Sequence, residues 1–373
     1  MASLAFPTIA KKATLSDGST YGYAAVTPAS PQKPTFLLLH GYPSSSYDWR
    51  HQIASLSAAG FGVIAPDLLG YGDTDAPEDV PSYRMKRMTG HMSELLDHEG
   101  VSRCIAVGHD WGSGLLSRLA TYIPDRLLGV IFLSVGYLEP QLVWDIEFLI
   151  EYANQAVGYD IYGYWLWHGT EQAIEDCDKN PASVFNLLYP ADPADWKVHF
   201  APRGAAANYV SSGRTDPLPS WFNLAEYTQR DRIIAMKGHR GPLNWYKAGM
   251  AGINLPDEAG MSEEERRCNV PTLLVVSEYD YITRADMQSA NTIKWTPDLR
   301  VEKLECGHWI QLEKPDELQR LFERFAGELV VKEEEKGKGK GKGKGKVGQS
   351  EEERSDAFDA RHLAAAGAEI VAN

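Results

Sequence analysis

Residues Arg103 to Gly114 read RCIAVGHDWGSG, and the rest of the chain is organised around them. Cys104 to Val107 is a short apolar run, partly β-branched, as a buried strand requires. Gly108 and Gly112 then bracket Asp110 at minus two and plus two. A sharp strand-to-helix turn needs small neighbours at those positions, because a Cβ would collide with the adjoining strand or helix. Leu115 to Tyr122 continues as a helix. The stretch is a nucleophile elbow with aspartate at its tip, where serine is the commoner nucleophile.

The segments on either side supply a sheet for this elbow. Thr14 to Val26 reads as a hairpin turning at Asp17-Gly18. Pro34 opens a buried strand, Thr35 to Leu39, that runs into HGYPSSSYDW, His40 to Trp49. A helix from Asp48 to Ala58 stops at Gly60, Phe61 to Pro66 is the next strand, and the Gly-rich loop DLLGYGDTD follows at Asp67 to Asp75. Arg84 to Glu99 is helical, and Leu128 to Val135 is an apolar strand beyond the elbow. Strand and helix alternate, which predicts a mostly parallel sheet flanked by helices, an α/β architecture. Residues 1–135 form the first part of this core.

From residue 136 to 268 the rhythm changes. No buried strand is apparent, and helical segments alternate with Pro and Gly breaks, so an inserted helical cap is expected here. Six of the ten tryptophans fall in this stretch, which makes it aromatic-rich. The sheet resumes over residues 269–331 with Pro271 to Ser277 and Leu299 to Glu305, then a last helix from Pro315 to Phe325. Residues 332–373 include a strict Gly-Lys alternation, Lys336 to Lys346, between two Glu runs. That alternation has no apolar side chains to offset ordering entropy, and the tail is expected to be disordered.

The net charge is −14, and the tail carries nine basic and nine acidic side chains, so the negative balance belongs to the body. An acidic body argues against nucleic-acid binding and suits neutral substrates. No run of about 18 apolar residues is present, so no membrane span is expected. Met1 to Thr14 lacks the apolar core of a secretory signal, and Val371-Ala372-Asn373 is no peroxisomal address. Four scattered cysteines without a CxxC pair fit free thiols in a reducing, cytoplasmic setting.

A carboxylate at the elbow is ionised at neutral pH and needs no base to activate it. It acylates poorly but attacks an electrophilic sp3 carbon, leaving an alkyl ester on Asp110. Release of that ester needs a base-activated water and donors for an oxyanion. His308, in LECGHWIQLEKP, follows the last strand and is the expected base. Asp280, in LLVVSEYD, is the expected acid that orients it, with Glu278 as the competing choice. Glu139 is the first carboxylate after the strand ending near Val135, too far on for an acid at that location. The expected oxyanion donors are the backbone N–H groups of Tyr42 and Trp111. His40 and His109, beside a turn and the elbow, are expected to be structural.

The combination of HGYP, GHDWG, GPLNWYKA at Gly241 to Ala248 and CGHW at Cys306 to Trp309 resembles the α/β-hydrolase-fold epoxide hydrolases, over residues 14 to 328. The resemblance implies an α/β-hydrolase fold and water addition to a hydrophobic epoxide, giving a vicinal diol without a cofactor or metal. It also implies two cap tyrosines that donate to the epoxide oxygen. Tyr246 matches the tyrosine of NWY, and IYGYWLWH offers Tyr164, with Tyr162 as the alternative. A phenol is a suitable donor to the alkoxide that forms. Trp165 and Trp309 are expected to contact substrate.

Two other readings compete. A haloalkane or haloacid dehalogenase would use the same aspartate and histidine, but such enzymes commonly carry Asn after the HG pair or Arg after the nucleophile. Tyr42 and Trp111 stand there instead, and since Trp111 is compatible with halide binding, it is Tyr246 of NWY that discriminates. A non-catalytic receptor on the same fold would have no need of Asp110, Asp280 and His308 together.

Overall fold

Strand β5, Cys104–His109, is buried along its whole length in the computed structural model, which describes residues 1–341. The other strands are β1 (Ala10–Thr14), β2 (Thr20–Val26), β3 (Thr35–Leu39), β4 (Gly62–Pro66), β6 (Leu127–Leu133), β7 (Thr272–Ser277) and β8 (Leu299–Leu304). They form one eight-stranded sheet in the order β1-β2-β4-β3-β5-β6-β7-β8. β1 and β2 are an antiparallel hairpin, β2 pairs antiparallel with β4, and every later pairing is parallel. This is the expected α/β fold, an α/β-hydrolase sheet covered by helices.

Both faces of the central strands are apolar, which explains the continuous hydrophobic runs. Along β3, Leu37 and Leu39 join one core cluster, while Phe36 and Leu38 join the other. β5 alternates the same way, with Cys104 and Ala106 on the first face and Ile105 and Val107 on the second. The first face is covered by the helices Met85–His98 and Trp111–Tyr122, the second by Arg50–Ala58 and the start of the last helix. β8, at the sheet edge, exposes Arg300 and Val301.

Between β6 and β7 the chain forms helices and loops and no strand. Residues 1–330 make one compact body, and the chain from Val331 is a second unit. Three local differences from the sequence reading stand out. β6 ends at Leu133 because Ser134 takes a left-handed backbone, φ 62°. A helix, Ala285–Trp295, fills the interval between β7 and β8; it buries only Thr292 and Trp295, so its sequence shows no clear apolar stripe. The last helix runs Pro315–Gly341 rather than stopping near Phe325. Glu and Lys are strong helix formers, and Lys332 to Lys336 carries the helix into the stretch expected to be disordered. The remainder of that tail lies outside the described residues.

No helix among the described residues is long and apolar enough to cross a membrane.

Candidate active site

Asp110 sits between β5 and the helix Trp111–Tyr122 with φ 54° and ψ −122°, a strained backbone for a residue bearing a Cβ. The glycines explain how the chain tolerates so tight a turn. A Cβ on Gly112 would lie 2.1 Å from the Leu39 carbonyl oxygen of β3, and one on Gly108 would lie 2.6 Å from that of Gly112. The Ser113 hydroxyl donates to the Gly108 carbonyl at 2.9 Å and closes the elbow.

The side chain of Asp110 meets groups from two other segments. Its Oδ1 accepts the Tyr42 N–H at 2.8 Å, from the HGYP turn after β3. Its Oδ2 lies 3.9 Å from His308 Nε2. Burial pushes the Asp110 pKa up, against the pull of His308 and of the Tyr42 and Trp111 N–H groups.

His308 Nδ1 donates to Asp280 Oδ2 at 2.6 Å. Asp280 Oδ1 accepts the Ile282 and Thr283 N–H groups at 2.9 Å each, and Oδ2 also accepts the Thr283 hydroxyl. Burial alone would raise the Asp280 pKa; the charge and hydrogen bond of His308, with the Thr283 and Ile282 donors, hold it below its ordinary value. For His308 burial acts downward, and the Asp280 charge and hydrogen bond overcome it, so its pKa is raised. Glu278, the competing acid, is exposed and pairs with Lys303.

The loop carrying His308 is fastened on both sides by residues the sequence reading did not single out. Glu313 accepts the Gly307 N–H at 2.8 Å and the Trp309 N–H at 3.1 Å, bracketing the imidazole residue. The His308 carbonyl accepts the Ser134 hydroxyl at 2.6 Å and His109 Nε2–H at 3.0 Å. His109 Nδ1 accepts from Gln311 at 3.2 Å, which fixes the neutral tautomer, and burial holds its pKa well below 6.5. His40 is likewise a framework residue: Nδ1–H donates to Gly41 at 2.9 Å and Nε2 accepts the Leu68 N–H at 3.0 Å. Burial lowers its pKa to about 4.

A cavity of about 250 Å³ opens above Asp110, and Tyr164 and Tyr246 line it together with Trp111 and Trp165. The two tyrosine rings stand edge to face with centroids 6.0 Å apart. Trp165 is 5.0 Å from Tyr246, also edge to face, and stacks on Trp144 at 4.6 Å. Burial raises the Tyr164 pKa well above 10, and the Asp110 charge adds to it. Tyr246 is raised well above 10 by burial, with Tyr164 and Asp110 contributing. Both phenols therefore stay protonated. Tyr162 also reaches the cavity, but it feels Asp280 rather than Asp110, and burial takes it to about 12.

Trp309 departs from expectation. It does not line the cavity: its ring stacks on Tyr189 at 4.0 Å and its Nε1–H donates to the Leu188 carbonyl at 2.6 Å, so both face and polar edge are used in packing. The cavity wall also includes Glu139, Met287, Gln288 and Asn291, none of them expected there. Three of these come from the helix Ala285–Trp295, whose weak apolar pattern hid it. Among the described residues no cluster of three or more His, Cys, Asp or Glu side chains is arranged to hold a metal.

The family model for the alpha/beta hydrolase fold matches residues 34–164. Epoxide hydrolase srdG of Neurospora crassa is 30% identical over 322 residues, which cover 82% of this chain and 91% of that protein. The chain belongs to the epoxide hydrolases of the α/β-hydrolase fold. A solved epoxide hydrolase from an endophytic Streptomyces superposes with TM-score 0.73 at 26% identity, covering 86% of this chain and 96% of its own. Bifunctional epoxide hydrolase 2 of Mus musculus is 28% identical over 317 residues, 81% of this chain but 54% of that protein. The chain thus spans about half the length of the mammalian relatives it matches.

Proposed function

We propose that the protein adds water to a hydrophobic epoxide to give a vicinal diol, with Asp110 as nucleophile, His308 as base and Asp280 as its orienting acid. The observation that carries this reading is a single cavity bordered by Asp110, Tyr164 and Tyr246, with the Asp280–His308 pair directly behind the carboxylate. The inserted helices, residues 136–268, act as a cap that supplies both tyrosines and excludes water.

With Oδ1 held by the Tyr42 N–H, Oδ2 is the attacking oxygen. It bonds to an epoxide carbon, the C–O bond breaks, and the electron pair moves to the ring oxygen. Tyr164 and Tyr246 donate to that oxygen as charge builds, strengthened by their dry surroundings. His308 Nε2 then takes a proton from water, and the hydroxide adds to the Asp110 carboxyl carbon. The new oxyanion on Oδ1 is met by the Tyr42 and Trp111 N–H groups. Collapse breaks the ester C–O bond, and the leaving oxygen takes up the proton from His308. The proton left on the Asp110 carboxylic acid replaces the one the tyrosines gave to the ring oxygen, so the diol departs with Asp110 ionised and both phenols neutral again. Trp165, in the cavity wall, contacts the substrate body. The reaction consumes one water and requires no cofactor. A cytoplasmic setting is supported by four cysteines buried as free thiols.

The test is trapping. In His308→Gln, alkylation should proceed while hydrolysis slows by about 10²–10⁴-fold. Intact-mass spectrometry should then find the protein heavier by one substrate, and peptide mapping should place the adduct on Asp110. Diol formation by the natural chain with no adduct in the variant would refute the assigned roles.

A further inference from the structure

The cavity wall is electrostatically lopsided. Its ionisable lining residues besides tyrosine are Asp110 and Glu139, and none of the described residues that line it is Lys, Arg or His. Glu139 follows β6 and is only partly buried; its Oε2 accepts Asn291 Nδ2–H at 3.0 Å. Oε1 has no partner among the described residues and remains available as an acceptor. Asn291 uses its amide N–H groups on Glu139 and, at 3.0 Å, on the Tyr137 carbonyl. Gln288 uses its carbonyl oxygen on the Gly136 N–H at 2.9 Å. The Asn291 N–H groups and the Gln288 carbonyl oxygen are thus engaged in holding this segment, and Glu139 is the charged acceptor among these three side chains.

We infer that Glu139 is a specificity-determining residue, selecting epoxides that carry a hydrogen-bond donor, a hydroxyl or an ammonium, away from the ring, and turning away epoxides that carry a carboxylate there. This rests on the epoxide-hydrolase reading above. A donor group gains a charge-assisted hydrogen bond to Oε1. A substrate carboxylate meets a like charge at Glu139 and a second at Asp110, with no cation in the wall to pair with. The tryptophan-rich wall takes the apolar body in either case.

The experiment compares kcat/KM for styrene oxides bearing a para hydroxymethyl, aminomethyl, methyl or carboxylate group. The natural chain should turn over the carboxylate about tenfold or more below the hydroxymethyl compound, as like charges at a partly solvated wall require. Glu139→Gln keeps an oxygen for the Asn291 bond and removes the charge, so the ratio of acid to alcohol should rise about tenfold; Glu139→Lys should raise it further. Equal turnover of acid and alcohol by the natural chain would overturn the inference, as would an unchanged ratio in both variants. Diol from the alcohol, methyl or amine compounds would meanwhile sustain the hydrolase reading. No diol from any compound would overturn that reading and this inference with it.

Discussion

His308 is pulled in two directions, and the outcome sets a pH dependence. Burial favours its neutral form; the Asp280 carboxylate, 2.6 Å from Nδ1, favours the charged form and prevails, with Asp110 adding to it. The proton is therefore retained above the ordinary histidine value of about 6.5. As a base His308 must be neutral, so ester hydrolysis should rise with pH through a midpoint above about 6.5. Asp280→Asn removes the main support of the charged form, so the midpoint should move below that of the natural chain, with a lower plateau because the ring loses its orienting acceptor. Single-turnover decay of the ester intermediate in the natural chain and in Asp280→Asn, across pH 5–9, measures both. A midpoint unmoved by the substitution would deny Asp280 its role. The meeting of Asp110, Asp280 and His308 was legible in the sequence because each follows a strand end, and parallel strand ends gather on one side of a sheet. Trp309 was misread because adjacency to His308 says nothing about which way a side chain turns. Ser134 and Glu313, which hold the His308 loop, carry no motif; their roles arise from backbone contacts between distant segments.

At the scale of elements, the elbow strand, its neighbours and the inserted helices could be read from apolar runs and Gly punctuation, since interior parallel strands must be apolar on both faces. What could not be read is how the inserted segment is tied to the sheet. Arg118, on the helix Trp111–Tyr122, donates from Nε to Glu258 Oε1 at 2.6 Å, with side chains 7% and 1% exposed. The same guanidinium reaches the Leu138 carbonyl, and Glu258 also accepts the Gln141 N–H. One buried pair thereby fastens the chain as it leaves the core and as it returns. Arg118→Met strands the Glu258 charge, which costs about 3–5 kcal/mol. At about 2–4 °C per kcal/mol for a domain of this order, thermal unfolding should fall by roughly 6–20 °C. Adding Glu258→Gln removes the stranded charge and should recover part of the loss. Calorimetry on the two variants decides it; equal Tm values for natural and Arg118→Met chains would mean the pair contributes nothing.

For the whole molecule, the question is what the C-terminal stretch contributes. Both core clusters, the cavity wall and every residue assigned a role lie within residues 1–330, and Leu329 is the last core residue in either cluster. Residues 342–373 hold five Lys or Arg and six Asp or Glu, so ending the chain after Gly341 would take the net charge from −14 to −13. A change of one charge leaves the field around the acidic body nearly as it was, so encounter with a neutral epoxide should not change. The shortened chain should keep kcat/KM within about twofold and lose no more than about 0.5 kcal/mol of stability, as expected for changes away from packed or paired groups. Steady-state kinetics and a thermal melt on the two chains check this together. A large fall in turnover at unchanged Tm would show that residues 342–373 act on the cavity itself, and a fall in both would show that they brace the body; either result would move part of the function into a segment that this reading leaves out of the chemistry.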